Sequence, residues 1–395
     1  MEEIDLNTEK LLSISGDALF LAFIFLLIAI VPIGLAAKSK SKRGVKIGIT
    51  LIYLAFFLQA CYFICRWIAV GHAPVGNMYE FMTFFGIMLV GAYLVIHHLY
   101  KQTIIGLFAI PTALLILGYG SVFTNEASPL VPSLQSHWLV IHVMTVAVSS
   151  AVLSIAFVTG MVYLLATIEV NKGSKSAISL EAVMYFLVVV IGFILSTFTF
   201  HFIIDPQTVE IRNEKSGLTE EVIFTMPILV ANEQISDTNN EQVGLMIVSN
   251  TIDARKLNTI LWSFIVGSLL YILIRMVSRK KIIELLKPLT AKVNPTLMDE
   301  ISYRAVLIGF PLFSLGGLFF GMIWAQLAWT RFWGWDPKEV WALITWLFYA
   351  AFLHFRLSKG WEGERTAWLS IIGFGTIIFN QVFVNLVIAG LHSYA

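Results

Sequence analysis

Ten apolar stretches of roughly 20 residues recur along this chain, at 18–37, 47–70, 77–97, 103–123, 138–166, 177–200, 257–277, 304–325, 339–356 and 366–390. A helix of that length crosses a hydrocarbon core of about 30 Å. In lipid every backbone N–H and C=O must be satisfied within the protein, and a single apolar segment achieves this only as an α-helix. The pattern excludes a soluble globular domain. It predicts an all-α polytopic membrane protein, a bundle of about ten transmembrane helices. The composition agrees, with 58% hydrophobic and only 13% charged residues.

The charges orient the bundle. Glu2, Glu3 and Asp5 precede the first apolar run, whereas Lys38, Lys40, Lys42, Arg43 and Lys46 follow it. That is not the order of a cleavable signal peptide, and it predicts a retained first span with the N-terminus outside. Alternate connections then carry most of the 26 Lys and Arg residues, as the positive-inside rule requires of cytoplasmic loops. The C-terminus also falls outside. A net charge of +1 without a basic tail gives no sign of a nucleic-acid partner.

The expected organisation is a six-span region over 1–200, an acidic extracytoplasmic loop domain over 201–256 and a four-span region over 257–395. Short runs at Thr208–Ile211, Glu221–Val230 and Val243–Val248 predict a small strand-containing insert in the loop domain. Phosphate-binding glycine motifs are absent, as is the internal repeat of an inverted-repeat transporter. Cys61 and Cys65 are spaced C-x3-C inside an apolar run, which suits packing and neither a redox pair nor a haem attachment site.

The densest chemistry lies in W-A-Q-L-A-W-T-R-F-W-G-W-D-P-K-E-V-W-A-L-I-T-W, residues 324–346, which hold six of the eleven tryptophans. Flat aromatic surfaces beside Arg331, Asp336, Lys338 and Glu339 suit a large planar apolar ligand with anionic groups. The plain alternative is an interfacial aromatic belt, but a belt spreads tryptophan over many span ends.

The predicted topology sorts the eight histidines. His72, His137, His142, His201 and His392 fall at outer span ends, and His97, His98 and His354 at inner ones. His142 lies about one turn inside its span. Gln381, Asn385, Ile388 and His392 share one face of an α-helix, and three of the four are polar. His142 and His392 therefore stand at the depth of the tryptophan-rich loop, where two imidazoles facing each other across an iron would make an axial pair. Any one of them also reads as an ordinary helix-end histidine. Arg66 and Glu80 form a candidate intramembrane ion pair, with either a structural or a functional use.

These motifs resemble those of the CcsA/ResC-type haem-handling proteins of the System II cytochrome c biogenesis machinery, marked by a tryptophan-rich WWD segment. Trp324, Trp329, Trp333, Trp335, Asp336, Pro337, Lys338 and Glu339, followed by W-A-L-I-T-W, match that hallmark. L-H-F-R at 353–356, G-L-H-S-Y at 390–394, G-H-A-P-V-G-N-M-Y-E at 71–80 and H-W-L-V-I-H-V at 137–143 match the accompanying segments. Thr330 stands where family members usually have Gly, Leu327 replaces a commoner acidic residue, and the chain ends in H-S-Y-A instead of H-S-Y-G.

The resemblance implies a haem-delivery subunit of a cytochrome c synthase complex. It would present non-covalent haem b outside the membrane for thioether attachment to the C-x-x-C-H of an apocytochrome c. His142 and His392 would ligate the external haem iron and His354 an inner one, whose opposite ligand belongs to a ResB/CcsB-type partner. Lys338 and Arg331 are candidates for propionate pairing, and Asp336 for orienting the loop. The residues by themselves also admit a polytopic solute transporter or a membrane subunit carrying electrons on haem b.

Overall fold

The computed structural model describes residues 6–39, 41–126, 134–170, 174–212, 219–232, 244–248 and 254–384. Among them ten helical runs are long and apolar enough to cross a membrane, as the sequence predicts. In chain order these begin with α1 (Leu6–Ser39), α2 (Lys42–Val70), α3 (Met78–Tyr100), α4 (Thr103–Gly120), α5 (His137–Thr167), α6 (Lys175–Ile203) and α7 (Ala254–Ser278). A short helix α8 (Ile282–Thr290) precedes α9 (Pro295–Phe313), which continues through a π-helical segment, Ser314–Phe320, into α10 (Gly321–Trp329). The ninth run is α11 (Pro337–Lys359). The tenth joins α12 (Glu364–Ile378) to a second π-helical segment, Phe379–Val384.

The helices outrun their apolar stretches. α1 has 34 residues and is about 50 Å long at about 1.5 Å per residue, so its ends reach past the hydrocarbon layer. Phe20, Leu27, Val31 and Leu35 are exposed along it. Such a stripe would be unstable in water and is satisfied by lipid tails.

The chain divides into two compact units, Val170–Leu285 and the remainder. In the smaller unit α6 and α7 cross where Gly192 meets Gly267 so closely that a Cβ on Gly192 would lie 2.4 Å from the Gly267 nitrogen. Small residues permit this backbone approach in lipid. Its strands are β1 (Gln207–Arg212) antiparallel to β2 (Thr219–Phe224), and β3 (Val230–Asn232) parallel to β4 (Met246–Val248). The expected Glu221–Val230 run is split, because Pro227 has no N–H to donate to a ladder. Asn258 of α7 accepts from the N–H groups of Leu229 and Val230 and donates to the Val230 carbonyl, pinning β3.

In the larger unit α5 is the hub, packed against α3, α9 and α12. Gly160, Gly309 and Gly316 mark the close approaches. A Cβ on Gly316 would lie 2.9 Å from the Val146 nitrogen. Pro311 lies just before the π-helical segment, and Gly316 inside it lets the backbone come close to α5.

Candidate functional site

The site assembles around His142, six residues into α5. Its Nδ1 lies 2.7 Å from the Gly316 carbonyl oxygen. A carbonyl only accepts, so Nδ1 carries a proton and this bond sets the orientation of the ring. Histidines that ligate metals are usually held by such a bond from the other ring nitrogen. The ring stacks on Trp324, centroids 5.8 Å apart at 15°. Trp324 is 1% exposed and is backed edge-on by Trp329 at 4.7 Å. Imidazole and indole therefore form one rigid wall.

That wall faces a cavity of ≈ 160 Å³. Its apolar lining includes Val143, Val146, Phe313, Met322 and Trp333, and its polar lining includes Lys338, Glu339, Asn380 and Gln381. A further side is the loop before α3, through Val75, Gly76 and Asn77. This loop is fixed by a buried ion pair. Arg66 Nε lies 2.8 Å from Glu80 Oε1 with both side chains under 5% exposed. Glu80 Oε2 accepts from Gly76 N–H at 2.8 Å, and Arg66 Nη2 donates to the Asn125 carbonyl. The pair is thus a brace for one cavity wall.

The tryptophan-rich loop is set by the start of α11. Asp336 is the N-cap, accepting from Lys338 N–H, and the Glu339 carboxylate reaches back to the N–H groups of Asp336 and Gly334. This capping box holds both acids at the positive end of the helix, a structural use of Asp336 that agrees with a loop-orienting role. Thr330 and Trp335 both take left-handed backbone, φ 56° and 57°. Thr330 occupies the left-handed position that closes α10, a conformation in which glycine carries no Cβ penalty.

The structure separates the sequence-predicted residues. His142, Trp324, Trp333 and Lys338 line the cavity, and Trp329 backs it. Trp335 is 70% exposed and meets Trp333 edge-on at 6.0 Å. Arg331 is exposed and folds over Gly334, where an added Cβ would lie 2.8 Å from its Nε. His354 is exposed near the other end of α11, away from the cavity lining. Its neighbour Arg356 is committed to Asp299 at 2.7 Å, which also accepts from Thr366. His392, Asn385 and Ile388 lie outside the described residues. Gln381 sits in the second π-helical segment.

Sequence reasoning missed Asn380. It is 8% exposed, and its Oδ1 is buried with no hydrogen-bond partner. The available signal was a polar pair, Asn380–Gln381, inside an apolar span. Trp346 has a structural use, donating from Nε1 to Ser314 Oγ at 2.8 Å.

The site thus joins an aromatic wall, one oriented imidazole and one lysine around a single cavity. Residues 75–202 and 261–392 match the family described as cytochrome C assembly protein. A cytochrome c biogenesis protein CcsA of Prochlorococcus marinus (strain MED4) is 32% identical over 380 residues, covering 95% of this chain and 90% of the relative. CcsA of strain MIT 9301 is 30% identical over 381 residues, covering 95% and 92%. CcsA of Pyropia yezoensis is 29% identical over 336 residues, covering 83% and 81%. The chain belongs to the cytochrome c assembly protein family, as a CcsA-type member.

Proposed function

We propose that this protein handles haem for cytochrome c assembly, holding it as cargo and presenting it to an apocytochrome c. The observation that carries the reading is the clamped imidazole, with His142 fixed by the Gly316 carbonyl and stacked on Trp324 at the cavity wall. His142 and His392 are the proposed axial ligands of the external haem iron, and His354 ligates an inner one with a ResB/CcsB-type partner. Trp324, buttressed by Trp329, holds the His142 ring in place, Trp333 offers a ring at the cavity wall, and Lys338 offsets propionate charge. Trp335 and Arg331 stand at the exposed rim, where the apocytochrome approaches.

In this scheme each cysteine S–H of the apocytochrome C-x-x-C-H adds across a haem vinyl group. Sulfur bonds to one vinyl carbon and the proton goes to the other, with no net oxidation. This chain then contributes position, not a covalent nucleophile. The site lies on the extracytoplasmic side of a bacterial plasma membrane, with a thylakoid membrane as the alternative setting.

The test is the visible spectrum of the detergent-purified chain, alone and with its partner. The reading expects a sharp reduced α band that weakens in His142→Ala and His392→Ala while the protein stays inserted. Wild-type haem content in both variants would overturn the ligand assignment. A featureless spectrum in every preparation would favour a transporter, and fast reduction of bound haem by quinol an electron carrier.

A further inference from the structure

We infer that Ser314 and Trp346 are positioning residues for His142, acting through the π-helical segment Ser314–Phe320 whose Gly316 carbonyl orients the imidazole. Trp346 Nε1 donates to Ser314 Oγ at 2.8 Å, and His142 Nδ1 donates to the Gly316 carbonyl at 2.7 Å. The two bonds hold one short segment from two different neighbours, α11 and α5.

Ser314 opens the segment, two residues before Gly316. Its hydroxyl gives its proton to the Phe310 carbonyl at 2.9 Å and accepts the indole N–H, which together fix the rotamer. The Trp346 ring also packs on Phe310, centroids 5.5 Å apart. The indole therefore grips the join between α9 and the wide turn. Trp346 stands nine residues past Pro337, about 14 Å along α11 at about 1.5 Å per residue. Water does not compete for the N–H at that depth of the hydrocarbon.

A wide turn departs from the regular α-helical ladder, so its carbonyls are placed by what the segment touches. On the α5 side the contact is backbone to backbone, Gly316 against Val146. On the α11 side it includes the Ser314–Trp346 bond. Neither Ser314 nor Trp346 lines the cavity, so their route to a ligand runs through His142, which does. The bond from the second ring nitrogen sets both the orientation and the basicity of a ligating imidazole.

The experiment uses the full-length protein in detergent with isotope-labelled histidine and reads two quantities. The first is the ring-nitrogen NMR signal of His142, assigned by its loss in His142→Ala, which needs no ligand. The second is the affinity for ferric haem, followed at the Soret band, which rests on the haem reading above. Trp346→Phe keeps a ring on Phe310 and lacks the N–H. Ser314→Ala removes the acceptor and leaves only a small void, so the outcome does not hang on one variant. Each should move the His142 Nδ1 signal towards that of an unbonded ring and weaken ferric haem about tenfold. Ser314→Thr retains the hydroxyl and should keep wild-type values. The Trp346→Phe/Ser314→Ala double variant should match either single one within about twofold, because both remove the same bond. In a His142→Ala background, Trp346→Phe should change haem affinity no further.

An unchanged His142 signal in both Trp346→Phe and Ser314→Ala would overturn the inference, whatever haem does. A further loss of haem on adding Trp346→Phe to His142→Ala would overturn it too, because Trp346 would then act on the cavity wall itself. No haem binding by wild type, with the His142 signal moving as expected, would overturn the haem reading and leave the positioning role standing.

Discussion

The imidazole of His142 and the indole of Trp324 lie nearly parallel, 15° apart, with their centroids separated by 5.8 Å. Trp324 is buried and also packs edge-on against Trp329, so it is part of the core as well as a support for the imidazole. Trp324→Ala should lower stability by about 3–5 kcal/mol, the usual cost of emptying a buried aromatic site, measured by thermal unfolding in detergent. Trp324→Phe retains a ring and should keep the fold while lowering haem retention.

Gly316 offers a sharper separation. A methyl group there would press on the Val146 nitrogen at 2.9 Å. Gly316→Ala should therefore push the π-helical segment off α5, break the His142 bond and cost about 1–3 kcal/mol. Haem content should fall towards that of His142→Ala. Gly375→Ala, where a Cβ meets nothing within 4 Å, should leave both readouts unchanged.

The Arg66–Glu80 brace predicts a double-mutant cycle. Arg66→Met leaves a buried carboxylate and should cost about 3–5 kcal/mol. Adding Glu80→Gln to it should recover part of the loss, since the penalty is the unpaired charge. Chemical denaturation of the four proteins reads the coupling.

Thr330 is β-branched in a left-handed conformation, φ 56° and ψ 25°. Thr330→Gly should relieve about 1 kcal/mol of backbone strain. The expected outcome is an unchanged or higher melting temperature with haem content preserved. A clear loss of stability would show that the hydroxyl's bond to the Trp329 carbonyl outweighs the strain.

Much of this fold is legible in the sequence because lipid leaves few alternatives to a helix. The ten runs follow from apolar length alone. The site is less legible. Its tryptophans are evident as a group, yet only the folded loop separates Trp324, buried against His142, from Trp335, exposed at the rim. Two residues of left-handed backbone, Thr330 and Trp335, set that difference, and side-chain patterning carries no trace of them. Asn380 is not legible from spacing, because the backbone there is π-helical and turns by a smaller angle per residue than an α-helix.

The two π-helical segments have a consequence for how the site can change. Gly317 comes from one of them and Asn380 and Gln381 from the other, so both wide turns contribute to the cavity wall. A wide turn holds one residue more than its α-helical equivalent. Removing a single residue from Ser314–Phe320 would close it to α geometry and leave the flanking α9 and α10 in register with their neighbours. The carbonyl that holds His142 would be withdrawn, and the scaffold would stand. Ligand binding in this architecture can thus be lost or reshaped by one-residue deletion or insertion, without a single substitution in the hydrophobic core.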